Sequence, residues 1–514
     1  MGQPHRLKIS FHFVYFVFTI SCFKNAIMIP KYKYYFYFCN YIRGGIRFTY
    51  EVIAIAKRKN RYKKNNRFLA FMFLTVFTPL GLILFINFIN ARNENADKQA
   101  DKAESTASSS PTEEINTFSY GKGIARYSEI NVPDELESII LDFIDDQFEA
   151  LATLSGTDLT GFFDPGSTES YVNAQINRTS LDYLISLRSM QPVDLTMTGY
   201  SFGITYTDLT YPGNGDISIT LLEDNQIYFS YLDGIESCST GIEHSFVFTE
   251  TADGFKLTSH EKTEDVYSLI NDYYLAALDE DYSRTSSASV QEINATLSGI
   301  ENKLITDAES NVDSIAEQFQ DYCGDPEKYE APNIEWETDY NREAAVAYAM
   351  DWVNETSVVR NDLFVSYDNL GGNCNNFVSQ CILAGGIPMD NIGTSGLQWK
   401  WYGDAISFSQ SKSGRSSSWA GVNEFYEYCT YNEGYGMAAW TGDNIFSAQA
   451  GDILQFGVEG VWKHSAIITK IIYDDNGDPI DFLINSNTTD RISYPASAYA
   501  YSDIRLIRIL GYNS

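Results

Sequence analysis

The stretch GGNCNNFVSQCILAGG, residues 371–386, places a cysteine directly after two glycines and an asparagine, where a helical pattern begins. Gly371 and Gly372 allow a sharp turn, and asparagine is a residue type favoured at a helix N-cap. The next apolar residues fall on one helical face: Phe377, Val378, Cys381 and Ile382. Gly385 and Gly386 then end the pattern. The sequence therefore predicts a short helix with Cys374 in its first turn.

Cys374 has two competing interpretations: a small buried hydrophobe, or a nucleophile. We assign the first to Cys381, which lies in the apolar stripe. Cys374 differs because the exposed amide groups of a first helical turn carry partial positive charge, which lowers a thiol pKa and favours the thiolate. The same amide groups can hold a developing oxyanion. The position thus meets two requirements of acyl transfer.

The third requirement, a base, points to His464, the single histidine in residues 334–514. It lies in AGDILQFGVEGVWKHSAIITKIIYDD (450–475), which predicts two paired strands joined by a glycine-containing turn. A lone histidine at a strand start is by default an ordinary half-buried side chain, but an imidazole can take a proton near neutral pH. The next predicted strand, DFLINSNTTDR (481–491), offers Asn485, Asn487 and Asp490 to orient the imidazole ring.

Residues of about 340–514 resemble the bacterial amidase domain family, a branch of the papain-like cysteine peptidase/amidase fold. The matching segments keep their order along the chain: YNREAAVAYAMDWVNE, GGNCNNFVSQCILAGGIPM, WKWYGD, SSSWAGVNEFYEYC, AGDILQF and KHSAIITKI. The resemblance implies a helix bearing Cys374, the nucleophile, packed on an antiparallel sheet bearing His464, the general base. Asn487 stands where the family pattern places a histidine, and Asn373 where it commonly has an aspartate.

These features predict an extracytoplasmic cysteine hydrolase that cleaves amide bonds through a Cys374–His464–Asn487 acyl-enzyme mechanism. Peptides, and peptidoglycan-like amides of the cell wall above all, are the expected substrates. The alternatives are a catalytically inactive surface module for binding or scaffolding, and an acyl transferase that forms cross-links. We expect no metal and no cofactor, because no second histidine or cysteine pair has ligand spacing and no phosphate-binding loop follows a strand.

Aromatic side chains between the nucleophile and the base form a secondary hypothesis. Trp399, Trp401, Tyr402 and Trp419 lie in turn-rich sequence. Such residues usually pack a core or its rim, but they can also wall a substrate groove.

Upstream, residues 115–263 predict an α+β domain. Helical spacing covers 134–154 and 169–190, and β-forming segments cover 193–211, 216–224, 226–233, 242–251 and 254–262. The pattern resembles cone-shaped cystatin-like or nuclear-transport-factor-like domains. We expect His244 and His260 to be ordinary sheet residues without a role. Residues 264–333 predict a helical connector that lies on the surface, before the C-terminal domain at 334–514.

The N-terminal region predicts membrane attachment. Residues 1–67 form a basic region, in which we suspect that the start site is assigned too early, and 68–91 is an uncharged apolar run that predicts a transmembrane helix or signal sequence. Residues 92–114 predict a disordered linker. The net charge of −32 is unevenly distributed: fourteen Lys and Arg lie before residue 71, and the remainder is strongly acidic. Because an acidic surface repels the phosphate backbone, we expect no nucleic-acid binding. We therefore expect a cell-membrane or secreted location, with the C-terminal domains outside the cytoplasm.

Overall fold

The computed structural model describes residues 123–126, 128–213, 215–280, 289–329, 334–391, 400–403 and 414–514, and one strand pair nearer the N-terminus. That pair is antiparallel and consists of β1 (Ile42–Arg43) and β2 (Ile46–Arg47). The predicted apolar segment 68–91 and linker 92–114 lie outside the described residues. Within the described ranges, no helix combines the length and the apolar content that a membrane crossing requires.

Helices form at both of the predicted positions that precede the first long strands. Helix α1 (Asp134–Thr153) buries Leu136, Ile140 and Phe143, which recur at helical spacing. Helix α2 (Thr168–Ser189) begins after Ser167, whose side chain accepts a hydrogen bond from the Ser170 N–H at 3.3 Å and so caps the helix. Both helices pack in one hydrophobic core with the sheet.

Residues 116–514 form one compact unit built around a twelve-stranded sheet. Its strands are β3 (Ile124–Ala125), β4 (Met197–Gly213), β5 (Asp216–Phe229), β6 (Ser237–Thr251), β7 (Gly254–Lys262), β8 (Thr338–Asp339), β9 (Gly436–Thr441), β10 (Ile453–Val458), β11 (Val461–Tyr473), β12 (Pro479–Ser486), β13 (Asp490–Pro495) and β14 (Asp503–Asn513). Their order in the sheet is β3–β4–β5–β6–β13–β12–β11–β10–β14–β8, with β7 paired to β6 and β9 paired to β14. All of these neighbours are antiparallel except β3 and β4.

Strand β5 corrects the prediction of two strands at 216–224 and 226–233. The sequence Glu223-Asp224-Asn225 predicts a turn, but all three residues are buried within one continuous strand. Each polar side chain has a partner there: Asp224 accepts from Arg126, Asn225 donates to Glu223 at 2.8 Å, and Glu223 lies 3.0 Å from His244. Buried polar groups are tolerated when such partners exist, so the strand does not break.

The helices of the predicted connector are present, and each buries one face. Helix α3 (Asp265–Glu280) buries Leu269 and Ile270, and helix α4 (Val290–Gly324) buries Ile293, Leu297 and Leu304 in the same core. Helix α4 starts with a capping box between Ser289 and Glu292. The expectation that this segment lies only on the surface is therefore wrong for these faces.

Four helices follow in the C-terminal part of the described chain: α5 (Arg342–Asp351), α6 (Cys374–Ala384), α7 (Ser417–Ala420) and α8 (Val422–Tyr431). They share a second core cluster with the sheet, in which Phe377, Cys381, Trp401 and Trp419 are fully buried. Helices and strands thus form a mixed α+β architecture, which confirms that part of the prediction.

Candidate active site

Helix α6 begins as the sequence predicts. Gly371 and Gly372 have φ values of +102° and +116°, a backbone region that favours glycine, and Cys374 is the first helical residue. At the other end, the Gly385 N–H donates to the Cys381 carbonyl at 3.0 Å, and Gly386 has a φ of +93°. Cys381 is fully buried in the second core cluster, as expected for a packing residue.

Asn373 occupies the N-cap position, but its side chain does not cap the helix. Its Oδ1 accepts from the Tyr367 N–H at 3.0 Å and from Asn376 Nδ2 at 2.7 Å, and its Nδ2 donates to Asn487 Oδ1 at 3.0 Å. Its own N–H donates to Thr488 Oγ1 at 2.6 Å. Asn373 therefore connects the loop before Cys374 to the turn after β12.

The first turn of α6 lies against β11. Ser465 Oγ donates to Asn375 Oδ1 at 2.9 Å and receives a hydrogen bond from Gln455 Nε2 at 3.0 Å. The Ser465 backbone N–H also acts to lower the pKa of Cys374. Because His464 directly precedes Ser465, the start of the helix meets the strand that carries the predicted base.

Burial controls the protonation of the Cys374 thiol, whose residue is only 7% exposed. Burial raises the pKa of Cys374 to about 11, although the N–H groups of Ser465, Asn375 and Cys374 itself act to lower it. The helix start thus acts in the predicted direction, but desolvation is the larger effect. The expectation of a lowered pKa and a thiolate is therefore wrong for this conformation.

His464 is neutral in this environment. It lies opposite Phe456 of β10, and its ring stacks on Tyr499 with centroids 5.2 Å apart. Burial, and then the positive charge of Arg491, lower the pKa of His464 to about 3. Its Nε2 is buried and has no hydrogen-bond partner among the described residues. The imidazole is therefore in the form that can accept a proton.

Asn487 lies beside the cysteine loop through its hydrogen bond to Asn373. Its Nδ2 is buried and has no partner within the described part of the chain. The other candidates for orienting the imidazole have structural partners. Asn485 donates to the Ala349 carbonyl at 3.1 Å, and Asp490 accepts two hydrogen bonds from Arg360, at 2.7 and 2.9 Å.

Sequence reasoning missed a buried polar group beside the cysteine and the histidine. Tyr499 OH donates to Asp265 Oδ2 at 2.6 Å, and Tyr501 acts to lower the pKa of Asp265, which burial raises. The charge of Asp265 raises the pKa of Cys374, and Arg491 Nη2 lies 4.0 Å from Asp265 Oδ2. Asp265 is the first residue of α3, where acidic residues are common, so the sequence offers no signal for this role.

Two of the tryptophans proposed as groove walls, Trp401 and Trp419, are core residues. Trp401 and Trp419 are fully buried with ring centroids 4.9 Å apart. Trp401 Nε1 donates to Ser379 Oγ at 3.0 Å, and Trp419 Nε1 donates to Asn376 Oδ1 at 2.6 Å. Both tryptophans therefore pack against helix α6 and hydrogen-bond to it. Tyr402 is half-buried, and Trp399 lies outside the described residues.

Two cavities lie near these elements, and Cys374 lines neither. The smaller, of about 10 Å³, is bounded by Asn373, Asn376, Asn487 and Arg360 among others. It has room for roughly one water molecule beside the free Asn487 amide nitrogen. The larger, of about 70 Å³, lies between α1, α2, β5 and β6.

The fold and the site define a mixed α+β protein in which a cysteine at a helix start lies against a histidine-bearing antiparallel sheet. Residues 339–510 match the family model described as "Putative amidase domain", which confirms the resemblance predicted for the C-terminal region. The chain is also 29% identical, over 165 residues, to a Bacillus subtilis (strain 168) protein named "Uncharacterized protein YhbB". That alignment covers 32% of this chain and 45% of the relative, so the chain spans less than half the relative's length.

Proposed function

We propose that this chain is a cysteine hydrolase of amide bonds with a papain-like C-terminal domain, in which Cys374 is the nucleophile and His464 the general base. The single observation that carries the proposal is the hydrogen bond of 2.9 Å from Ser465 Oγ to Asn375 Oδ1, because it holds the start of the helix against the histidine-bearing strand. The match of residues 339–510 to an amidase domain supports the reaction class.

Hydrolysis of an amide by a thiol requires a group that carries protons and a set of hydrogen-bond donors that stabilise the oxyanion. His464 takes the thiol proton while the sulfur bonds to the substrate carbonyl carbon, and backbone N–H groups at the start of α6 hold the oxyanion. The carbon–nitrogen bond then breaks as His464 gives its proton to the leaving amine. Water, deprotonated by His464, attacks the thioester and releases the carboxylic acid and the thiol. The unpartnered Nε2 of His464 is suited to carry this proton.

Asn487 enters the proposal as the third member of the site. Asn487 accepts a hydrogen bond from Asn373, the residue immediately before the nucleophile. This contact supports a role for Asn487 in positioning the loop that carries Cys374. Its free Nδ2 is a donor, so it suits an oxygen of the substrate better than the ring N–H of the imidazole.

Catalysis requires that the site open. Cys374 is 7% exposed and His464 is 4% exposed. Substrate binding has to displace the side chains that cover the thiol before a carbonyl carbon can reach it. Access of solvent would also lower the pKa of Cys374 and raise that of His464, because burial is the main cause of both shifts.

Cell-wall peptides are the substrate class that we propose, acting outside the cytoplasm. The uncharged run 68–91 after a basic block supports export or membrane attachment, and the acidic remainder suits a neutral or cationic substrate. We propose this substrate class because the cell wall is an abundant extracellular source of amide bonds in a bacterium.

One observation favours a second candidate function. A thiol pKa of about 11 beside an imidazole pKa of about 3 describes an inert pair, as in a surface binding or scaffold module with a vestigial site. Transfer of the acyl group to an amine is a third outcome, since it shares the acyl-enzyme with hydrolysis.

Digestion of purified bacterial cell wall by the full chain, followed by mass spectrometry of released fragments, tests these candidates. We expect amide-cleaved fragments with the wild type and with Cys381→Ala, whose thiol lies on the same helix, and none with Cys374→Ser. Fragments extended by an added small primary amine would assign acyl transfer. Retention of the chain on cell wall without any release would favour the binding module, and full activity of Cys374→Ser would refute the nucleophile.

A further inference from the structure

The larger cavity lies in the N-terminal half of the compact unit and is lined by charged side chains. Its walls come from helices α1 and α2, strands β5, β6 and β7, the start of α3, and β13. Three permanent cations line it, Arg188, Lys262 and Arg491, together with two carboxylates, Glu223 and Glu264. Cys374, His464 and Asn487 are not among the lining residues, and Arg491, whose charge lowers the pKa of His464, connects this cavity to the candidate active site.

Arg188 of α2 is a buried cation without a counter-ion. It is 3% exposed, and its Nη2 donates to Tyr494 OH at 2.7 Å. Among the described residues, its Nε and Nη1 have no hydrogen-bond partner, and its guanidinium carbon lies 5.6 Å from the centroid of the Phe229 ring. A guanidinium group that is buried and unpaired carries a large desolvation cost, which an anion would offset.

Arg491 of β13 lines the same cavity. It is 4% exposed, and its Nε and Nη1 also have no hydrogen-bond partner in the described chain. The carboxylate oxygen Oδ2 of Asp265 lies 4.0 Å from its Nη2. Tyr494 lies between the two arginines, since it accepts from Arg188 and its ring centroid is 5.1 Å from the Arg491 guanidinium carbon.

The carboxylates of the wall are already engaged by other groups. Glu223 Oε1 accepts from Asn225 at 2.8 Å, and its Oε2 lies 3.0 Å from His244 Nε2. His244 continues this chain of contacts to His260, with ring nitrogens 3.0 Å apart. Glu264 lies 3.9 Å from Lys262. These contacts leave the four arginine nitrogens without an acceptor.

An unsatisfied acceptor in the wall indicates a second feature of the ligand. Asn225 Oδ1 is a buried acceptor with no partner among the described residues, so it fits a ligand that also has an O–H or N–H donor. The cavity volume of about 70 Å³ has room for roughly five water-sized atoms. A small oxyanion with one protonated oxygen meets both conditions, and arginine forks suit its paired oxygens.

We propose that this cavity is a binding site for a small oxyanion of the phosphate or carboxylate type, held between Arg188 of α2 and Arg491 of β13. The free nitrogens of both guanidinium groups donate to the oxyanion, and Asn225 Oδ1 accepts from its protonated oxygen or from a neighbouring donor. The ligand therefore joins α2 to β13, two elements that lie far apart in the sequence.

Thermal unfolding and isothermal titration calorimetry of the full chain test the site, with sodium phosphate, sulfate, acetate and succinate as probes. Sodium chloride holds the ionic strength constant. We expect at least one oxyanion to raise the unfolding temperature above the chloride control and to bind near one equivalent. Comparing the effects of phosphate and sulfate with those of acetate and succinate shows whether the site prefers tetrahedral oxyanions or carboxylates.

The variant Arg188→Gln and its matched control Arg178→Gln then assign the effect. Arg178 lies on the same helix but is exposed and pairs with Asp182 at 3.2 Å. We expect Arg188→Gln to weaken binding at least tenfold and Arg178→Gln to leave it unchanged. Should Arg188→Gln fail to fold, Arg491→Lys, which keeps the charge but loses the fork, serves instead and is expected to weaken binding.

Two results would overturn the site. The first is that none of the four anions stabilises the wild type beyond the chloride control. The second is that the Arg188 and Arg491 variants retain the full shift and affinity, which would assign the effect to surface charge.

Discussion

The Cys374 thiol is subject to two opposing effects that differ in size. Amide groups at a helix start favour a nearby negative charge by up to about 2 kcal/mol. Against this, a pKa of about 11 in place of an ordinary value disfavours the thiolate by a net amount of roughly 3 kcal/mol. Desolvation therefore exceeds the stabilisation by the helix start, and the closed site holds a neutral thiol next to the strand of a neutral imidazole.

This protonation state predicts the pH dependence of alkylation at Cys374. In the native chain, iodoacetamide labelling should rise about tenfold per pH unit from pH 7 to 10 without a plateau, because only the thiolate reacts and the pKa is about 11. Peptide mass spectrometry measures the rate at each cysteine. In urea, the labelling rate of the same thiol should reach half of its maximum near pH 8.5 and level off about one pH unit higher, since burial is then lost. A plateau below pH 7 in the native chain would contradict the raised pKa.

At the residue scale, the sequence identifies side chains whose position follows from a local pattern. Cys374 follows from the glycine turn and the helical stripe, and His464 from its place on a predicted strand. Asp265, Tyr499 and Arg491 were not predicted, because they reach the site from three distant segments. The raised pKa of Cys374 has the same origin, since burial depends on how those segments pack.

The loop that precedes α6 is fixed by one arginine. Arg360 donates to Asp368 at 2.8 and 3.0 Å and to Asp490 at 2.7 and 2.9 Å, and the Asp490 side chain is fully buried. Burial raises the pKa of Asp368, but the hydrogen bonds from Arg360 and Ser366 and the charge of Arg360 outweigh it. The pKa of Asp368 therefore lies below its ordinary value. These contacts attach the loop to β13, directly after the turn that contains Asn487.

Arg360→Met should lower the free energy of unfolding by roughly 3–5 kcal/mol, because it leaves the buried Asp490 without its counter-ion. Urea denaturation measures the loss, and Arg178→Gln, at an exposed pair, should change the stability by less than about 1 kcal/mol. Adding Asp490→Asn to Arg360→Met should recover part of the loss. If Arg360→Met unfolds no more easily than Arg178→Gln, the ion pairs do not hold the loop.

Two glycines allow a matched test of the turn before Cys374. Gly372→Ala should cost about 1–2 kcal/mol, because Gly372 has a φ of +116° that an L-residue adopts with strain. Gly299→Ala should instead stabilise by about 0.5–1 kcal/mol, since Gly299 is exposed within helix α4 and an added Cβ meets no atom within 4 Å. Urea denaturation of both variants compares the signs. Equal signs would show that backbone conformation does not decide the effect.

At the element scale, periodicity predicts helices better than it predicts where a strand continues. Helix α2 at Thr168–Ser189 agrees with the predicted 169–190, because its cap and its spacing are both local. Strand β5 was divided in two at Glu223-Asp224-Asn225, because polar residues of this kind usually indicate a turn. Their partners, Arg126 and His244, come from elsewhere in the chain, so the local sequence does not contain the reason for the continuity.

The whole compact unit is organised by a junction between its N-terminal and C-terminal strands. Strand β13 pairs with β6 through Asp490–Thr240, Arg491–Ser239 and Ile492–Cys238. Side chains reinforce it: Ser237 Oγ donates to the Ser493 carbonyl at 2.8 Å, and Tyr231 OH to Asp481 at 2.5 Å. One hydrophobic cluster contains residues of both halves. The sheet is therefore continuous across the boundary that the sequence suggests between 263 and 334.

A continuous core predicts that both halves unfold in one transition. All seven tryptophans lie between Trp336 and Trp462, so tryptophan fluorescence reports only on the C-terminal half. Phe143 of α1 lies far from them in the sequence and is fully buried in the shared cluster. Phe143→Ala should cost about 3–5 kcal/mol. We expect it to lower the denaturation midpoint seen by tryptophan fluorescence as much as the midpoint seen by far-ultraviolet circular dichroism.

The matched control for this experiment is Arg178→Gln on the neighbouring helix α2, which removes an exposed side chain and should leave both midpoints within error. Calorimetry of the wild type adds an independent measure, because a cooperative unit has equal calorimetric and van't Hoff enthalpies. Independent halves would give a different result: Phe143→Ala would shift the dichroism signal in an early step while the fluorescence midpoint stayed at its wild-type value. A shared midpoint instead means that a substitution in the N-terminal half destabilises the surroundings of Cys374 and His464 through the joint sheet and core.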